Sequence, residues 1–221
     1  MSLLGLDTST AASAAAVLRA DGREFELRPP AARLLEPPAH ARELMPAVRE
    51  AMERAGVGFG DLEAIAVGVG PGGFTGLRIG IVTARGLAHA AGLELRPVLS
   101  LAALAHGAGE SLALALIDAR RGELFAALYE DGAERWPPFA ATPAAVAERV
   151  RDSGLSPLAV GDGSVRFREE LETTGIRVAP VESGSHAVSA VQVCRLAAGT
   201  PGVAPEAVIP QYLRAPDAKP R

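Results

Sequence analysis

The chain has 221 residues, 48% of them hydrophobic and 22% charged, with a formal net charge of -4. Those values suit one large globular domain or two small ones with real cores, and they exclude a disordered chain. The acidic balance argues against a protein that grips nucleic acid alone, since phosphate binding needs clustered Lys and Arg, and the single cysteine, Cys194, excludes an internal disulfide or a cysteine metal site.

Residues 3–6 form an apolar run ending at Asp7, with the small hydroxyl residues Thr8, Ser9 and Thr10 behind it. No basic region precedes that run, so no signal peptide is expected, and no stretch approaches the roughly 20 apolar residues of a membrane helix; the expected location is the cytoplasm. Residues 12–18 resume the apolar run, and Asp21-Gly22 signals a hairpin into 25–28. Pro29, Pro30, Pro37 and Pro38 mark a loop. The spacing predicts a helix over 40–55, where Leu44, Val48, Ala51 and Ala55 share a stripe and Gly56 is a stop.

A buried strand over 62–68 leads to the loop Gly70-Pro71-Gly72-Gly73 and a helix over 75–90, whose apolar side carries Leu77, Ile81, Ala84, Leu87 and Ala88. A strand over 95–99 and a short helix over 100–106, capped by Ser100, close the first half. From Gly107 the opening repeats: a strand over 112–117 ends at Asp118, Arg121-Gly122 is a turn, and 124–130 is the return strand. A helix over 143–151, a strand over 158–161, a turn at Asp162-Gly163 and a helix over 187–198 complete the pattern. Two strand-Asp-turn-strand openings predict an α/β protein of the actin-like ATPase type. It would have two ribonuclease H-like units, residues 1–106 and 107–221, with mixed sheets flanked by helices and the last helix able to pack back on the first unit.

The loop before the second helix is rich in glycine, which allows close backbone approach, and helix-start amides can hold an anion. It lacks the Lys-Ser/Thr ending of a P-loop and the spacing of a dinucleotide fingerprint, so a structural turn and an anion site both stay open. As a string, Gly70-Pro71-Gly72-Gly73-Phe74-Thr75-Gly76-Leu77-Arg78-Ile79-Gly80 resembles the TsaB (YeaZ) family motif Gly-Pro-Gly-Ser-Phe-Thr-Gly-Leu-Arg-Ile-Gly, with Gly73 in place of serine. Further marks stand in order at Leu6-Asp7-Thr8-Ser9-Thr10, His40-Ala41-Arg42-Glu43-Leu44-Met45-Pro46, Ile117-Asp118-Ala119-Arg120-Arg121-Gly122-Glu123-Leu124, Val160-Gly161-Asp162-Gly163 and Pro210-Gln211-Tyr212-Leu213-Arg214. The resemblance covers nearly the whole chain.

The resemblance implies a non-catalytic paralogue of the transferase TsaD. TsaD-like proteins carry two histidines four apart on one helical face, a metal-holding spacing. Aligned strand ends put Ser100 and Leu104 there, so no metal and no cofactor are expected. Asp7, Gly70, Gly72, Gly73, Thr75, Gly76 and Arg78 would form a vestigial nucleotide loop. Asp7 alone could handle phosphate through a metal or close its strand turn; the turn is preferred, because no second catalytic carboxylate or phosphate-contacting Lys is evident. Asp118 reads likewise, and Cys194 reads as a buried small hydrophobe.

By the same resemblance, the first two helices would bind TsaD or a second copy through Leu44, Val48, Ala51, Met52, Ala55, Leu77, Ile81, Ala84, Leu87 and Ala88. Half of those positions are also explained by each helix covering its own sheet. The implied role is scaffold and activator for TsaD, which places a threonylcarbamoyl group on the adenosine beside the anticodon in tRNAs reading A-starting codons. The ATPase TsaE would engage the pair, and tRNA would be met only through the complex. Rival readings are an active actin-like ATPase or kinase and a TsaD-like metallopeptidase.

Overall fold

The structure, a computed structural model, describes residues 2–214. Strands β1 (Ser2–Asp7), β2 (Ala14–Leu18) and β3 (Glu24–Leu27) form an antiparallel meander. Helix α1 (His40–Ala55) follows and stops at Gly56, which takes the left-handed conformation with φ 62°. Then come β4 (Leu62–Gly68), α2 (Phe74–Ala91), β5 (Glu94–Val98) and α3 (Ser100–Gly107). Strands β4 and β5 add in parallel, giving a sheet of order β3-β2-β1-β4-β5.

The second half repeats the plan with β6 (Leu112–Arg120), β7 (Glu123–Glu130), β8 (Ala133–Ala141), α4 (Pro143–Ser153) and β9 (Leu158–Val160). It ends with α5 (Asp162–Arg166), α6 (Arg168–Thr173), β10 (Arg177–Val178) and α7 (Ala190–Ala197). Its sheet runs β10-β9-β6-β7-β8, which is the first sheet's order with each strand's counterpart in the same place. This is the two-sheet actin-like arrangement that the duplicated opening predicts.

Apolar stripes decide the layers. Leu44, Val48 and Ala51 of α1 and Ile81, Ala84 and Ala88 of α2 bury against Leu4, Leu6, Val17, Ile65 and Val67 of the first sheet. Leu101 and Leu104 of α3, with Val193 of α7, pack on Ala115, Ile117 and Ala127 of the second. Helix α7 also crosses β1 so closely that a methyl on Gly5 would meet the Ala190 carbonyl oxygen at 2.4 Å. Among the described residues no helix is long and apolar enough to cross a membrane.

Four expectations need correcting. Asp162-Gly163 is not a turn but the start of α5, entered from Gly161 at φ 102°. The last helix begins at Ala190 rather than 187, because Ser189 caps it by accepting the Gln192 amide and the preceding Gly184–His186 is a separate 3-10 turn. Ser100 caps nothing; its hydroxyl is drawn to Asp7. Strand β8 was hidden by Pro137 and Pro138, which sit where its pairing with β7 slips out of register. A sheet edge is where a residue without an amide hydrogen is tolerated.

Candidate functional site

Asp7 ends β1, and its carboxylate turns back on its own chain. Oδ1 accepts the Ser9 amide at 2.8 Å and the Ser9 hydroxyl at 2.6 Å, while Oδ2 accepts the Ser100 hydroxyl at 2.6 Å. The side chain is 1% exposed. Burial pushes its pKa up, while the Ser100 and Ser9 bonds and nearby His40 pull it down. The carboxylate thus closes the strand turn, and none of its oxygens faces an open site.

The glycine loop lies directly on this turn, backbone against backbone. Gly73 donates its amide to the Ser9 carbonyl at 2.8 Å, and the Thr8 hydroxyl donates to the Gly76 carbonyl at 2.8 Å. A methyl on Gly72 would stand 2.4 Å from the Ser9 oxygen, one on Gly76 2.2 Å from the Thr8 oxygen, and one on Gly68 1.8 Å from Asp7 Oδ2. Gly70, at φ 106°, begins the cis Gly70-Pro71 bond and donates its amide to the Ser100 hydroxyl at 3.2 Å. These glycines allow segments to touch rather than leaving room for a phosphate.

A small cleft of about 220 Å³ remains above the joint, lined by Ser9, Thr10, His40, Thr75, Asp118 and Asp162 among others. His40 is buried and meets the Ser13 hydroxyl at 2.9 Å through Nδ1; burial lowers its pKa. From the second sheet, Asp118 is held by Arg120 at 3.1 Å and Arg166 at 3.5 Å. Asp162 accepts the Asp118 amide at 3.1 Å. Burial, with the Asp118 charge adding to it, pushes its pKa to about 7, although the Asp118 amide pulls the other way. Among the described residues no three His, Cys, Asp or Glu side chains gather as metal ligands.

The other candidate surface is the outward side of α1 and α2. Here the sequence reading needs correcting residue by residue. Leu44, Val48, Ala51, Met52, Ala55, Leu77, Ile81, Ala84 and Ala88 are all buried in this chain's own interior, and only Leu87 is partly open. Val48 and Met52 nevertheless line a groove on α1 and Ile81 a groove on α2, while the side chains most exposed there are others. On α1, Met45 is 46% exposed beside Phe59, over an apolar groove of about 470 Å³. On α2, Val82 is 64% exposed beside Ile209 and Tyr212, over a groove of about 490 Å³ that Arg78 and Arg85 flank.

Gly73, Thr75 and Gly76 reach the cleft, whereas Asp7, Gly70 and Gly72 lie behind it in the joint. Arg78 is elsewhere: its guanidinium stacks on Phe74 at 3.9 Å and donates to the Tyr212 hydroxyl at 3.1 Å, on the outer side of α2. Sequence reasoning missed Asp162 as a titrating group, and missed Met45, Phe59 and Val82. A usable signal existed for Val82, since α2 carries apolar residues outside its single inward stripe. For Asp162 no local pattern betrays its burial.

A family model described as TsaD, tRNA N6-adenosine threonylcarbamoyltransferase, matches residues 36–154. An uncharacterised Mycobacterium leprae protein is 34% identical over 99% of this chain and 56% of its own length. The Escherichia coli tRNA threonylcarbamoyladenosine biosynthesis protein TsaB is 39% identical over 59% of this chain and 55% of its own length. The chain thus spans about half the length of those two relatives. An uncharacterised Mycobacterium tuberculosis protein is 33% identical over 99% of this chain and 94% of its own length. Among solved structures, YeaZ from Pseudomonas aeruginosa superposes with a TM-score of 0.77 at 32% identity, covering 96% of this chain and 99% of that one. The ethanolamine utilization protein EutJ from Carboxydothermus hydrogenoformans shares the fold, with a TM-score of 0.51 at 16% identity over 88% and 90% of the two chains.

Proposed function

The chain belongs to the TsaB (YeaZ) family, and on that premise we propose that it is a non-catalytic scaffold and activator subunit in the synthesis of N6-threonylcarbamoyladenosine on tRNA. The observation that carries the non-catalytic part is Asp7, whose oxygens are all engaged by Ser9 and Ser100. A carboxylate buried and bonded within its own turn presents no open oxygen to a substrate. The position that would carry the first metal-holding histidine in a TsaD-like protein is Ser100, which bonds Asp7. The second is Leu104, 1% exposed in the core.

The exposed Met45, Phe59, Val82 and Ile209 support the docking part. Met45 on α1 and Val82 on α2, with Phe59 and Ile209 from the segments beside them, present apolar surface to solvent, and covering it with helices of a TsaD-type transferase removes that surface from water. The partner supplies the transfer chemistry at the adenosine beside the anticodon of tRNAs reading A-starting codons. This chain favours the partner's active arrangement by binding it in preference to others. TsaE engages the pair, tRNA is met through the complex, and the work is done in the cytoplasm. Without the transferase, the same faces pair two copies of this chain.

Co-purification with the TsaD-type protein of the same genome, followed by an assay of threonylcarbamoyl transfer to tRNA, tests the proposal. Transfer is expected to depend on this chain. Met45→Glu is expected to weaken the pair about tenfold or more, since a charge is then buried at an apolar contact, and Asp7→Asn to leave transfer intact. ATP turnover by the isolated chain that Asp7→Asn abolishes would refute the non-catalytic role.

A further inference from the structure

Helices α1 and α2 treat charge differently on the sides they turn to solvent. On α1 the charges answer one another within the helix: Arg49 pairs with Glu53 at 3.7 Å, and Arg54 pairs with Glu50. Helix α2 carries Arg78 and Arg85 and no Asp or Glu along its 18 residues. The groove beside it is lined by both arginines together with Ile81, Val82, Ile209 and Tyr212, and no carboxylate is among its lining residues.

Arg85 builds the groove: its guanidinium donates to the carbonyl oxygens of Glu206 and Val208 and so ties that segment to α2. Arg78 is held in another way. Its guanidinium carbon lies 3.9 Å over the Phe74 ring, its Nε donates to the Tyr212 hydroxyl at 3.1 Å, and the Phe74 and Tyr212 rings stack at 5.2 Å. Among the described residues nothing accepts from its two terminal nitrogens, and it has no carboxylate partner. The Tyr212 hydroxyl accepts from Arg78 and keeps its own hydrogen to give. Arg78 and Tyr212 are both exposed. A planar fork already stacked and bonded along one edge loses little freedom when its other edge meets a flat, two-oxygen acceptor.

We propose that Arg78, with the Tyr212 hydroxyl beside it, receives an Asp or Glu carboxylate from the partner helix that docks in this groove. The inference rests on the docking role proposed above and adds the partner's chemistry: a TsaD-type transferase whose docking helix sets an acidic side chain next to an apolar stripe. A phosphate offers similar oxygens, but a nucleic-acid backbone calls for clustered cations. Here two arginines flank an apolar floor that includes the exposed Val82 and Ile209, in a chain of net charge -4.

Calorimetric titration of the full chain with the TsaD-type protein of the same genome, at low and at high sodium chloride, tests the assignment. Arg78→Ala is expected to weaken binding about tenfold and Arg78→Glu about a hundredfold, while Arg78→Lys loses severalfold because it keeps the charge without the fork. Added salt should weaken the parent pair more than the Arg78→Ala pair. Melting temperatures of the variants should stay within about 4 °C of the parent's, which separates a lost contact from a lost fold. Changing one Asp or Glu on the transferase's docking helices to Arg should restore affinity to the Arg78→Glu chain. If the parent binds and Arg78→Glu binds equally well, the carboxylate assignment is overturned and the docking role stands; if the parent does not bind, both fall. Binding of tRNA by the isolated chain that Arg78→Ala abolishes, with affinity for the transferase unchanged, would give the fork to phosphate and overturn the proposal.

Discussion

The cleft between the sheets and the outward faces of α1 and α2 differ in what they leave unsatisfied. In the cleft and the joint beneath it, polar groups find partners within the chain: Asp7 in Ser9 and Ser100, Asp118 in Arg120 and Arg166, Asp162 in a backbone amide. On the helices, Met45 and Val82 stand in solvent with no apolar cover. Satisfied polar groups hold a shape together, and uncovered apolar ones want a second surface. The difference teaches that what this chain leaves uncovered lies on the flank of the fold and not in the cleft.

The strongest way to break this comparison is to intrude on the joint beneath the cleft. Gly72→Ala places a methyl 2.4 Å from the Ser9 carbonyl oxygen, where neither backbone can retreat. Overpacking of this kind is expected to cost about 3 kcal/mol or more, read as a lower denaturant midpoint or failure to fold. Were Gly72→Ala as stable as the parent, the loop would have room for a ligand after all.

Next in size is the buried Asp162. Its folded pKa of about 7 lies above the usual 3.8, so folding takes up a proton between those values. Its contribution is therefore neutral below pH 3.8 and turns destabilising as pH climbs toward 7. Asp162→Asn should stabilise the protein at pH 8 by an amount on the order of 2 kcal/mol and match the parent at low pH. Denaturation midpoints across that window check it, and a gap that widens on acidification would contradict the sign.

On the helix side, Val82→Glu should weaken the complex with the TsaD-type partner about tenfold, near 1.4 kcal/mol, while stability changes by no more than about 0.5 kcal/mol. Val48→Glu is a poorer probe: Val48 lines the α1 groove but is 1% exposed, so a charge there would disrupt the core together with the groove. The smallest effect belongs to Gly86→Ala, in the same helix as Gly76 but with open space around the added methyl. It should raise stability by about 0.8 kcal/mol through helix propensity, with thermal melting as the readout.

Strongly periodic segments were legible in the sequence. Helix α1 announced itself through the stripe of Leu44, Val48 and Ala51 and the stop at Gly56, and the first meander through Asp21-Gly22. Which side of a helix meets a partner was not legible, because an apolar stripe looks the same whether it covers a sheet or another chain. Burial of Leu77 and Ala84 decides it, and burial is a property of the assembled fold. Strand β8 escaped because Pro137 and Pro138 read as a loop unless one knows they sit at an edge, and α5 because five residues carry too little periodicity. The Val160-Gly161-Asp162-Gly163 string was visible, but its desolvated carboxyl was not.

Where Gly72 and Gly76 press main chain onto main chain at Ser9 and Thr8, two distant stretches of polypeptide act as die and casting. Neither contour can change alone, since any added atom on one side demands a matching hollow on the other. A joint of that kind fixes residue choice for mechanical reasons, and substitution is freest on surfaces that nothing presses against.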